Sequence, residues 1–92
     1  MTQQYIAGEL SSLLAELQPA PSALLTRAVR DLRREIELGP LPVLPRLAHE
    51  AIALTDTMCQ LALERGDASG FSGKARAAAA LREFATSANL LP

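Results

Sequence analysis

Three groups of side chains have the types and spacing that bear on chemistry. His49, Asp56 and Cys59 fall on neighbouring strips of one apolar, helix-periodic stretch. Metal binding along a helix takes pairs at i,i+3 or i,i+4, and His49 and Asp56 are two turns, about 10 Å, apart, too far to grip one ion. Cys59 lies on the apolar shoulder of the stretch, where cysteine behaves as a small hydrophobe, and His49 reads as a surface histidine. The second group is Gly70-Phe71-Ser72-Gly73-Lys74, a glycine-rich turn ahead of a helix, a setting in which free N–H groups bind phosphate. The phosphate-loop pattern fails here, because Ala68 stands where its first glycine belongs, Ala75 replaces the Ser or Thr after the lysine, and no strand precedes it. The third group is Arg27, Arg30, Arg33 and Arg34. Of these, Arg27, Arg30 and Arg34 form a candidate anion contact, although i,i+3 and i,i+4 pairing of Arg27 with Asp31, Asp31 with Arg34, and Arg33 with Glu37 is expected to neutralise much of the stripe. No catalytic residue, metal ligand or cofactor site is assigned from these groups.

Two resemblances to enzymes and carriers stop short. The segment from Gly70 to Arg82 is similar to the prosthetic-group loop of acyl carrier proteins, which set a serine ahead of a helix. It departs at the serine itself, since their Asp-Ser-Leu is here Phe71-Ser72-Gly73 and the chain leaves no room for the helices that should follow. Small helical enzymes such as the helical chorismate mutases hold a dianion with inward Arg and Lys. In this sequence the arginines face outward.

The elements that position these residues are all helical. Leu44, Leu47, Ala51, Leu54, Met58 and Leu61 step at 3, 4, 3, 4, 3, which predicts a helix from Leu44 to Arg65. Ala48, Ile52, Thr55, Cys59, Ala62 and Leu63 widen its apolar arc to about 200°, about twice what a one-sided surface helix needs. Ile6, Leu10, Leu13, Leu14 and Leu17 predict a first helix over 2–18, stopped by Pro19 and Pro21. Leu25, Val29, Leu32 and Ile36 predict a second over 22–38, capped by Ser22 and ended by Gly39. Gly39 to Pro45 is a proline-rich connector, Gly66 to Gly73 a small-residue loop, and Ser72 caps a fourth helix to about Ala88, with Asn89 as its stop. The expected fold is all-α: one domain over residues 1–92, a four-helix antiparallel bundle organised around the long third helix.

Composition sets bounds on function. Nine basic against ten acidic residues leave a net charge of −1, so no long-range field draws in a polyanion, which argues against nucleic acid. Eight of the nine basic residues are arginine, the bias of a GC-rich bacterial genome. One cysteine excludes a disulfide framework and a multi-thiolate zinc site. With neither a signal-like N-terminus nor an apolar run long enough to span a bilayer, a cytoplasmic protein away from the membrane is expected. The function expected is that of a small non-enzymatic interaction protein, which self-associates or binds a larger protein through apolar helix faces. The alternatives are a small DNA-binding regulator reading through the fourth helix or the arginine stripe, and a small helical enzyme or ligand-binding protein. A third helix of 22 residues spans about 33 Å and a 16-residue neighbour about 24 Å, so its ends are expected to project. Leu41, Val43, Leu44 and Leu47 at one end and Leu61 and Leu63 at the other are therefore the candidate interface of a two-fold homodimer.

Overall fold

The computed structural model describes residues 3–18, 20–39 and 41–91. Met1, Thr2, Pro92, the stop assigned to Pro19 and the Pro40 part of the connector lie outside them. Four helices, α1 (Gln3–Ala15), α2 (Ala23–Leu38), α3 (Leu44–Glu64) and α4 (Ala68–Ser87), form an all-α bundle around α3, with a single 3₁₀ turn over Leu41–Val43 between the second and third. No strand occurs among the described residues.

Helices adjacent in the chain pack as two hairpins, α1 with α2 and α3 with α4. The α3–α4 contact is the most extensive in the molecule, while α2–α3 and α1–α4 join the hairpins less tightly. Alanine explains the closest pair: Ala48, Ala51 and Ala62 of α3 and Ala77, Ala78 and Ala85 of α4 are buried, and so small a side chain lets backbones approach. Leucines fill the rest of the core, with Leu10, Leu14, Leu17, Leu44 and Leu47 at 0 % exposure. The predicted seams are on the inside, except that Leu13, Leu25, Leu54 and Leu61 are half-buried.

The helix ends account for the boundaries. Ser22 caps α2 by accepting from the Leu25 N–H at 3.1 Å, as its residue type predicts. Gly39 follows α2 in an extended conformation, φ −75°, so its glycine is required by space: a Cβ there would lie 2.7 Å from both the Glu35 carbonyl oxygen and Val43 Cγ2. Gly66, at φ +70°, ends α3 by donating to Leu63 O while Asp67 donates to Ala62 O, the paired bonds that satisfy orphan carbonyls. Asn89, at φ 59°, does the same for α4 with Leu90, and Leu90 is buried behind it.

Two boundaries depart from expectation: α1 ends at Ala15, three residues short of the expected 18, with Glu16 and Leu17 in a turn, and α4 starts early. Residues 68–73 are helix, and the cap is Asp67, whose carboxylate accepts from the Gly70 N–H at 2.9 Å, leaving Ser72 inside the helix. An aspartate cap with the preceding left-handed glycine outweighs the cost of two helical glycines, about 1 kcal/mol each relative to alanine. Nothing lies within 4 Å of a Cβ built on Gly73. Gly73→Ala should therefore stabilise the fold by about 0.5–1 kcal/mol and raise the thermal midpoint by about 4 °C, as read by circular dichroism. A lowered midpoint would contradict the early start of α4.

Candidate interaction surface

With 20 residues against 21, α4 covers α3 along nearly its whole length, so no two turns of α3 stand clear. Leu44 and Leu47 are fully buried by the chain itself, and their place in the candidate interface is corrected to the core. Val43 and Leu61 are half-buried, Leu63 is 58 % exposed, and the Leu41 side chain lies outside the described ones. Leu63 joins Phe71 and Ala68 around a shallow apolar hollow of about 220 Å³ at the α3–α4 corner. Phe71 faces outward there, while the ring contacts of the fold fall to Tyr5 and Phe84, 6.3 Å between centroids.

The side chains most exposed for their type lie elsewhere. Leu38, the last residue of α2, is 79 % exposed, and Leu24 in its first turn is 75 %. Because α2 packs against α3 less closely than α4 does, a groove runs between α2 and α3. Its upper part is lined by Arg34, Glu35, Leu38, Gly39, Val43, Arg46 and Leu47. Further along, a hollow of about 250 Å³ has a floor of Ala28, Leu32 and Leu54 and a rim of Asp31, Glu35 and Glu50.

Arg27, Arg30 and Arg34 are exposed, as their positions opposite the seam require. Arg30 and Arg34 meet Arg33, Glu37 and Leu38 around a depression, and Arg27 stands apart from it. The three ion pairs expected along α2 do not form. Instead Arg33 Nε donates to Ser11 Oγ at 3.0 Å, and Ser11 donates to Glu37 Oε1 at 2.7 Å, so a buried serine of α1 takes the place of a direct Arg33–Glu37 contact. Ser11 was missed because one hydroxyl between apolar positions carries no periodic signal. Among the described residues the ion pairs are Arg46–Glu50 at 2.8 Å and Arg82–Asp56 at 2.7 Å. Both are solvent-exposed pairs, worth under about 1 kcal/mol.

Asp56 is thus committed to Arg82, and His49 lies exposed two turns away. No group of three or more His, Cys, Asp or Glu that would hold a metal gathers among the described residues. Burial, and secondarily the Asp56 charge, pushes the Cys59 thiol up, while Lys74 and Arg82 offset part of that rise. A thiol kept protonated at neutral pH is a weak nucleophile. Lys74 and the residues before it, expected as a small-residue loop entering the last helix, lie within α4, and Lys74 Nζ donates to the Leu17 carbonyl oxygen at the end of α1, 2.9 Å away.

An open cleft of about 410 Å³ at the same end is walled by Pro21, Met58, Ala62, Arg65, Asp67, Ser69, Gly70 and Lys74. No helix among the described residues is long and apolar enough to cross a membrane. Comparison with known proteins finds no matching family model, no matching curated protein and no matching solved structure.

Proposed function

We propose that this protein is a small interaction module that acts by self-association, as a homodimer formed through apolar helix surfaces. The observation that carries this reading is Leu38, a leucine 79 % exposed at the mouth of a groove whose apolar lining includes Val43 and Leu47 and, further along, Leu32 and Leu54. Burying one such side chain yields about 1.5–3 kcal/mol, and a two-fold contact buries each apolar surface twice over. A reducing, cytoplasmic setting accords with a single free thiol at Cys59.

Sedimentation equilibrium at micromolar concentration tests the proposal. A species of twice the 9.8 kDa chain mass, dissociating on dilution, is the expected result. A clean 9.8 kDa species up to about 100 μM, well above the affinities of specific complexes, would overturn it.

A further inference from the structure

Resting on the reading of a self-associating module, we infer that two copies dock through the α2–α3 groove about a two-fold axis, with Leu38 of each copy seated in the Leu32/Leu54 hollow of the other.

The knob and the hole lie on one surface of one chain. Leu38 borders both upper depressions, where Arg30, Arg33 and Arg34 on one side and Arg46 on the other outnumber Glu37 and Glu35. Six residues back along α2, about 9 Å by helical rise, Leu32 and Leu54 floor a hollow whose rim is acidic, with Asp31, Glu35 and Glu50. An exposed leucine in a mainly basic ring and an apolar hollow in an acidic ring complement one another in polarity and charge through Arg30 and Arg34 against Asp31 and Glu35, since Arg46 and Glu50 already pair within one chain at 2.8 Å. Leucine and hollow are separate on the same groove, so a chain cannot fill its own hollow with its own Leu38.

A two-fold axis near Glu35 solves this, because an isologous contact pairs residue i with j and j with i. It lays the two α2 helices antiparallel and brings each basic ring onto the other's acidic rim, the arrangement that fixes register and suppresses wrong partners. With Leu38 opposite the partner's Leu32, Arg34 falls within one position of the partner's Glu35. Guanidinium and carboxylate match in that role through paired hydrogen bonds. Glu35 also approaches its own copy at the axis, and the two flanking Arg34 side chains offset that repulsion. A different protein offering an acidic, leucine-bearing helix would satisfy only the knob and leave the acidic hollow without a match, which favours a second copy of this chain.

The test compares sedimentation equilibria of the full chain and four variants. Leu38→Asp should raise the dimer dissociation constant at least about tenfold, as expected for loss of a central apolar anchor, with helicity unchanged because the side chain is exposed. Leu63→Asp, at the opposite end of the molecule, should leave the constant within about threefold. Arg34→Glu should weaken the dimer, and Arg34→Glu combined with Glu35→Arg should restore it, since the swap exchanges both sides of a symmetric pair. A wild-type dimer that survives Leu38→Asp, or that Leu63→Asp breaks instead, overturns this interface and leaves self-association standing. A monomeric wild type removes self-association and the interface together.

Discussion

Leu47→Ala is expected to lower the free energy of unfolding by about 2–5 kcal/mol, the range for a buried leucine whose removal leaves a cavity. Leu47 is at 0 % exposure, it belongs to the central cluster that joins all four helices, and the packed helices around it limit how far the site can collapse. Small domains hold about 5–10 kcal/mol in total, so the variant keeps between none and about four fifths of that. Urea unfolding followed at the helical circular-dichroism band measures the effect, at one fixed protein concentration because association adds to apparent stability. Leu54→Ala is the comparison: its side chain is half-buried on the groove floor, and its cost should fall below about 2 kcal/mol. Equal losses at both positions would mean that α3 faces its neighbours differently from the arrangement described.

Ala85→Leu is expected to be nearly as damaging by the opposite route. Ala85 is fully buried in the core cluster, on α4, whose contact with α3 is the most extensive of the fold. Three extra carbons have no space there, and overpacking of this kind costs about 1–3 kcal/mol or forces the backbones apart. Leucine is also a good helix former, so local propensity cannot be the cause of a loss. A thermal midpoint lowered by about 4–15 °C is the expected reading. An unchanged midpoint would show that α3 and α4 are not held at alanine distance.

The helices were legible because their seams repeat at the helical period and their ends carry strong stops. Ser22, Gly66 and Asn89 act at the places their residue types predict. The start of α4 was hidden by Gly70, Ser72 and Gly73, three residues that favour turns individually, whereas the deciding group was one carboxylate at Asp67. Leu44 and Leu47 lie at the other end of α3, and the chain buries them itself: a comparison of helix lengths leaves out the residues beyond the helices, of which Leu90 joins the same core cluster and Val43 packs against it. Leu38 was not singled out, since a last-turn leucine in an amphipathic helix looks like core until the neighbouring helix is seen to lie too far away. The network of Arg33, Ser11 and Glu37 likewise joins residues from two helices, and periodicity along either one is silent about it.

The hydrogen bond from Lys74 to the Leu17 carbonyl oxygen also makes this chain report on its own breathing. Lys74 is the sole lysine of the sequence, half-buried, and its ammonium is held where the first helix ends. Amine-directed reagents act on the neutral amine, so acylation of this side chain requires release of its hydrogen bond to Leu17. The rate of that event, resolved from acylation of the chain's α-amine, follows the breaking of this contact between α4 and the end of α1, without any label having to be engineered.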